Sequence, residues 1–214
     1  MTDLRYTLVS DGSSDRALIP ILNWLLRENG VQHAIQPSWA DLARIPNPPR
    51  ELSEKISWAV EIYPCDLLFI HRDAETGDRQ ARLREIGEAV ERVLAGFTIP
   101  HRVCVIPVRM TEAWLLFSEA AIRRAAGNVS GRYILRLPAV NNIENTNDPK
   151  RILYDLLKIA SGLTGRRLKR FLVSYHACRI SGFIEDFSPL RALPAFRCLE
   201  EDLIAIIQEM TWAQ

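Results

Sequence analysis

The sequence lacks the marks of several common chemistries. It has no GxxxxGK[ST] loop and no GxGxxG turn, so P-loop nucleotide hydrolysis and dinucleotide binding are without their phosphate cradles. GxSxG and HExxH are absent as well, which removes nucleophile-elbow hydrolases and zinc metalloproteases. The four cysteines, Cys65, Cys104, Cys178 and Cys198, form no CxxC pair and stand far apart. That spacing argues against a zinc site or a disulfide framework and reads as small buried apolar residues in a reducing compartment. No apolar run approaches the roughly 18 residues that a bilayer span needs. The opening Met1-Thr2-Asp3-Leu4-Arg5 has no basic-then-apolar layout of a signal peptide, so a soluble, cytoplasmic protein away from membranes is expected. Lysine is scarce: Lys55, Lys150, Lys158 and Lys169 are the only lysines among 27 basic residues.

What is present is an ordinary globular composition, 48% hydrophobic and 25% charged over 214 residues, enough for one substantial core. The net charge of +1 conceals an uneven distribution. Residues 1–117 carry 13 Lys+Arg against 16 Asp+Glu, whereas residues 123–179 carry 12 against 3. Residues 180–214 turn acidic again, with 2 against 6. A basic module is thus concentrated in the second half.

The pattern of apolar residues predicts alternating strands and helices through the first half. Leu4–Ser10 and Val31–Gln36 read as strands, with Arg16–Glu28 as the helix between them, capped from Ser13-Ser14-Asp15. After the Pro46–Pro49 loop, Arg50–Tyr63 reads as a helix. Asp66–His71 is a near-continuous apolar run, the mark of a strand buried on both faces. Arg79–Leu94 is an amphipathic helix, and Arg102–Val108 a fourth strand whose Pro107 suggests an edge or a bulge. A helix is expected from about Ala113. The order predicts a doubly wound, mostly parallel four-stranded α/β sheet over residues 1–117. Residues 118–214 read as a mainly helical, basic extension packed on it, with helices at Asp148–Ala160, Gly165–Ser174 and Leu199–Met210.

In such sheets ligands bind outside the carboxyl ends of the strands. Three acidic groups fall there: Asp11 and Asp15 after the first strand, Asp73, Glu75 and Asp78 after the third, and Glu112 after the fourth. Converging carboxylates resist ionising together, and a hard cation such as Mg²⁺ or Mn²⁺ removes that conflict. Metals held there could activate water and stabilise the leaving oxygen of a phosphodiester. Taken singly, each acid has a structural alternative as a turn residue, a cap or a first-turn charge. His71 reads as base, ligand or plain strand-end histidine. Arg72 and Arg109 flank the edge as phosphate holders or as partners of neighbouring carboxylates. Arg166, Arg167, Lys169 and Arg170, with Arg123, Arg124, Arg132 and Arg136 upstream, could neutralise a nucleic-acid backbone, with Tyr133, Phe171 and Tyr175 to stack bases. The alternative is a solvated helix face, or pairing with the acidic C-terminal segment. Trp114 reads as core.

The stretches LVSDGSSD, LLFIHRDAE and TEAWLL together resemble the Toprim fold of topoisomerases, primases and OLD-type nucleases. The likeness covers roughly residues 4–117. It is nearer to a group of uncharacterised bacterial Toprim-like proteins, which DPKRILYDLL and SGFIEDFSPLRALPAFRCLEEDL also resemble. The resemblance implies an acid–base carboxylate after the first strand, matched by Asp11, and a Mg²⁺-binding Asp-x-Asp after the third, matched by Asp73 and Glu75. Asp11 stands where glutamate is usual and Glu75 where aspartate is usual, so the carboxylates are kept while their reach differs. The implied activity is Mg²⁺-dependent phosphoryl transfer, a nuclease acting on DNA or RNA. A bacterial defence setting with partner proteins is implied by the same likeness. Two alternatives stand beside it. One is a non-catalytic Toprim-like module that binds nucleic acid within a larger assembly. The other is a phosphoacceptor receiver domain, which places Thr111 well but lacks the paired acids after strand one and a lysine after a fifth strand.

Overall fold

A computed structural model describes residues 3–75, 78–96 and 98–210. Its centre is a four-stranded sheet in the order β2-β1-β3-β4, from β1 (Asp3–Val9), β2 (Ala34–Trp39), β3 (Leu67–His71) and β4 (His101–Val105). All three strand pairings are parallel, with Tyr6 opposite both Pro37 and Leu67, and Leu67 opposite His101. This is the expected α/β class, and it is consistent with a Toprim-like fold.

The apolar run of β3 is buried at every position. Side chains alternate between the two faces of a strand, so Leu67 and Phe69 face one core while Leu68 and Ile70 face the other. The first core takes α1 (Leu18–Glu28), whose Leu18, Ile21, Leu22, Leu25 and Leu26 lie on one stripe. Each such burial stabilises by about 1.5–3 kcal/mol. The Tyr6 hydroxyl donates to Asn23 Oδ1 at 2.9 Å and so fixes α1 on the sheet. The second core takes α2 (Leu52–Ile62) and α3 (Arg79–Leu94).

The helices of the second half are α4 (Glu119–Ala125), α5 (Pro149–Ser161), α6 (Gly165–Lys169), α7 (Val173–Ala177) and α8 (Pro194–Glu209). Most of them share the first core, α6 excepted, which buries no residue. Leu153, Leu157, Phe196 and Leu203 join Leu4, Leu8 and Leu22 in one cluster. Trp114 is fully buried there, edge-on to Phe196 at 5.3 Å between centroids.

Several boundaries differ from the sequence reading. β2 begins three residues later than expected, because Val31 closes α1 by donating its N–H to Leu26 O at 3.1 Å. Pro37 therefore sits inside an edge strand, where a missing N–H is tolerated. Pro107 lies beyond β4 instead of within it. The Ser13-Ser14-Asp15 turn is a short 3₁₀ stretch ahead of α1, and Asp15 reaches back to accept the Gly12 N–H at 3.0 Å. The helix expected from Ala113 is likewise a 3₁₀ turn, Thr111–Leu115, followed by α4. Gly165–Ser174 divides into α6 and α7 around Phe171-Leu172. α8 starts at Pro194, five residues before the expected Leu199. Asp148 caps α5 as expected, accepting the Arg151 N–H at 2.9 Å. The cysteines are half-buried free thiols, where full burial was expected. No helix among the described residues is long and apolar enough to cross a membrane.

Candidate acidic site at the carboxyl edge of the sheet

The chain leaves β1 toward one face of the sheet, through α1, and leaves β3 toward the other, through α3. The two strands are neighbours, so their carboxyl ends part and open a crevice between them. The acidic loops border this crevice. The loop after β3 is pinned to the loop after β4 by three backbone bonds: Arg72 N–H to Val105 O at 3.1 Å, Ala74 N–H to Pro107 O at 3.1 Å, and Glu75 N–H to Arg109 O at 2.7 Å. Glu75 adopts φ 41°, a left-handed conformation that favours glycine, at a cost of about 1–3 kcal/mol. Thr76 and Gly77 of this loop lie outside the described residues.

Asp73 is held through one of its two carboxylate oxygens. Its Oδ1 accepts the Thr111 N–H at 2.9 Å, is 3.4 Å from the Thr111 hydroxyl and is 3.1 Å from His71 Nε2. Its second oxygen has no partner among the described residues. His71 is buried at 2% exposure, and its Nδ1 lies 3.6 Å from Asp15 Oδ2 without a hydrogen bond. Asp15 is buried too, so Asp73, His71 and Asp15 stand in a row that is hydrogen-bonded only between the first two.

Of the other four acids predicted at this edge, Asp78 caps α3 by accepting the Ala81 N–H at 3.0 Å, and Asp11, Glu75 and Glu112 are each held by a cation. Asp11 binds Lys55 Nζ at 2.6 Å and also Arg72. Burial would raise the Asp11 carboxyl, but the Lys55 hydrogen bond and the Arg72 and Lys55 charges outweigh it and hold it below the usual aspartate range. Arg72 also binds Glu85 at 2.8 Å. Glu75 is well exposed and pairs with Arg82 at 3.0 Å, and the same Arg82 donates its Nε–H to the Asp73 carbonyl at 2.9 Å. Glu112 lies 3.4 Å from Lys150, whose ammonium is pushed up chiefly by the Glu112 charge. Arg109 contributes its carbonyl to the loop, while its side chain has no ion-pair partner among the described residues.

Glu112 and Asp15 border one small cavity together with Tyr154, Ser174 and Cys178. The basic extension is therefore packed directly on the acidic edge through α5 and α7. Burial first, then the Glu112 and Asp15 charges, pushes the Cys178 thiol up. Arg166, Arg167, Lys169 and Arg170 are all exposed and pair with no carboxylate among the described residues. The acidic C-terminal segment does not neutralise them: Asp202 pairs with Arg79 at 3.5 Å and Glu209 with His101 at 3.8 Å. Tyr133 and Tyr175 are exposed, while Phe171 stacks on His176 at 4.2 Å.

Among the described residues no group of three or more His, Cys, Asp or Glu converges as a ready-made metal cage. Mg²⁺ does not require one, since it is commonly held by one or two carboxylates with water and substrate phosphate completing the shell. Asp73, with an oxygen to spare, fits that lesser demand; Asp11 would fit it on release from Lys55 and Arg72. No family model, no curated protein and no solved structure matches this chain. The residues themselves therefore carry the functional reading. Sequence reasoning passed over Lys55 and Lys150, the cations that hold Asp11 and Glu112. Both lie on helices remote in sequence from the acids they meet, and no local pattern marked them.

Proposed function

We propose that the protein is a Toprim-like, Mg²⁺-dependent nuclease whose reaction centre is the acidic edge around Asp73. The observation that carries this reading is the Asp73 carboxylate at the β1–β3 crevice. One oxygen is fixed by Thr111 and His71, and the other is open to a ligand. A bound Mg²⁺ would supply a Lewis acid for the phosphoryl oxygens and a more acidic water. Asp73 would hold it, with Asp11 and Glu112 as adjoining carboxylates. Thr111 and His71 fix the Asp73 rotamer. Arg72 and Lys55, now on Asp11, and Lys150, now on Glu112, are cations that an entering phosphate would attract. Arg109 is a further candidate. The exposed Arg166, Arg167, Lys169 and Arg170 would hold the strand through its backbone without reading sequence.

A second reading has its own observation. Asp11, Glu75 and Glu112 are already neutralised by protein cations, as suits a non-catalytic module that binds nucleic acid beside a partner protein. A receiver domain is less well supported, since the described residues form four strands and no lysine follows a fifth.

Incubation with labelled single-stranded DNA, duplex DNA and RNA, with Mg²⁺ or Mn²⁺ and with EDTA, tests the proposal. Cleavage that needs the metal and vanishes in Asp73→Asn is expected. Metal-independent binding with no cleavage, unchanged in Asp73→Asn, would favour the binding module.

A further inference from the structure

A second cleft, of about 520 Å³, opens beside the acidic edge, beyond the carboxyl ends of β1 and β2. Its size is ordinary for a small-molecule or nucleotide site. It is bordered by the Ser10–Ser13 loop, by Trp39 and the residues that follow β2, and by Lys55 of α2. Asp11 and Lys55 belong both to this cleft and to the acidic edge, so the two are continuous.

Its side chains suit a nucleotide. The Arg16 guanidinium lies over the Trp39 ring, 5.6 Å from its centre, and pairs with no carboxylate among the described residues. Lys55 and Arg44 add two more cations. The two acids of the lining are already engaged, Asp41 by Arg44 at 2.7 Å and Asp11 by Lys55 and Arg72. The Trp39 ring is fixed: its indole N–H donates to Ser10 Oγ at 2.9 Å, and the Ser10 hydroxyl donates to Gly12 O at 3.3 Å. The chain after Trp39 is tied to β1, with the Ala40 N–H donating to Leu8 O at 3.0 Å. A fixed aromatic ring under a guanidinium that no carboxylate among the described residues holds suits single-stranded nucleic acid: a phosphate would draw the guanidinium off the ring as a bidentate donor, and the uncovered ring would stack a base.

We infer that this cleft holds one nucleotide of a single strand. Arg16 and Lys55 take its phosphate and Trp39 takes its base, adjacent to the bond presented at Asp73. The inference rests on the proposed reading of the ligand as nucleic acid, but it does not require that the strand be cut.

Binding of the full chain to a fluorescein-labelled oligothymidylate, followed by anisotropy in EDTA over a range of salt, tests it. Arg16→Gln should lower the slope of log K against log salt by about 0.7, the loss of one single-strand phosphate contact. Trp39→Leu should weaken binding about tenfold, while Trp39→Phe retains most of the affinity because a ring remains. Photo-crosslinking of wild type to the same oligonucleotide carrying 5-iodouracil gives a readout free of folding effects, and the crosslinked peptide should contain Trp39. Unchanged affinity and salt slope in Arg16→Gln and Trp39→Leu, or crosslinks confined to Tyr133 and Tyr175, would overturn the inference. Wild type that binds no oligonucleotide would overturn it as well. Cleavage that depends on Asp73 while the Arg16 and Trp39 variants bind normally sinks this inference alone. Absent cleavage with normal crosslinking at Trp39 sinks the nuclease reading alone.

Discussion

Two carboxylate networks in this molecule use the same chemistry to different ends. Glu200 of α8 is nearly buried and receives Arg191 Nε at 2.9 Å, Arg191 Nη2 at 2.7 Å and Asn29 Nδ2 at 3.1 Å. Arg191 in turn lies over the Trp24 ring at 5.0 Å. Both Glu200 oxygens are taken, and the network ties the end of α1 to the C-terminal helix. At the acidic edge the saturation is incomplete. Among the described residues Asp73 keeps an oxygen open, and two buried nitrogens, His71 Nδ1 and Arg72 Nε, have no hydrogen-bond partner. Glu75 holds a positive φ in the same loop. Buried polar groups without partners cost stability; the edge holds two of the six such atoms among the described residues, the others belonging to Arg79, Trp114, Arg123 and Ser181. One network is finished as a brace, and the other keeps an acceptor unused among the described residues.

This contrast can be broken at either end. The largest effect expected is in Asp73→Asn. On the proposed function, its carboxylate holds the metal and its loss removes several kcal/mol of transition-state stabilisation, so metal-dependent cleavage should fall by about a hundredfold or more. The asparagine oxygen can still accept the Thr111 N–H, so the denaturation midpoint should scarcely move. Equal cleavage by variant and wild type would remove the acidic edge from the chemistry. Next, Glu200→Ala should show the opposite pattern. It leaves Arg191 and Asn29 without their acceptor and should cost about 1–3 kcal/mol in denaturant unfolding, with oligonucleotide affinity unchanged.

The same comparison extends to pH. Arg191, foremost, and Asn29 hold the Glu200 carboxyl below the ordinary 4.5. A group depressed in the folded state contributes stability above its unfolded value and loses it as pH falls through the folded one. Wild type should therefore exceed Glu200→Gln in melting temperature above about pH 4.5, and the gap should close in more acidic buffer. A gap that widens on acidification would contradict the pairing. The smallest effect belongs to Asp11→Asn. That carboxyl is also depressed, but its side chain is 47% exposed, and such pairs typically contribute about 0–1 kcal/mol. Its melting temperature should stay near wild type, and a large loss would make Asp11 a brace like Glu200.

Much of this was legible in the residues. The buried run of β3 and the 3.6-residue stripe of α1 announced a two-faced sheet, and Asp148-Pro149 announced a helix start. The short helices were not. Thr111–Leu115 is too brief for periodicity to separate a 3₁₀ turn from an α-helix, and Gly165–Ala177 too brief for it to separate two short helices from one. The edge strand β2 was misplaced because its exposed, proline-bearing sequence lacks the alternation of a half-buried strand. At the site, local sequence put the acids at strand ends, but not which acids are free. That depended on Lys55, Arg72, Arg82 and Lys150, and three of these are brought in by separate helices. Trp39 and Arg16 were equally silent, since their meeting depends on where β2 ends.

Calorimetric titration of Mn²⁺ into the protein, alone and with an oligonucleotide, tests the account most directly. Wild type should bind, more tightly when the oligonucleotide's phosphates complete the shell. Asp73→Asn should lose that binding, and Glu75→Gln should keep most of it. Wild type that takes up no metal under either condition, or Asp73→Asn that binds as well as wild type, would contradict it.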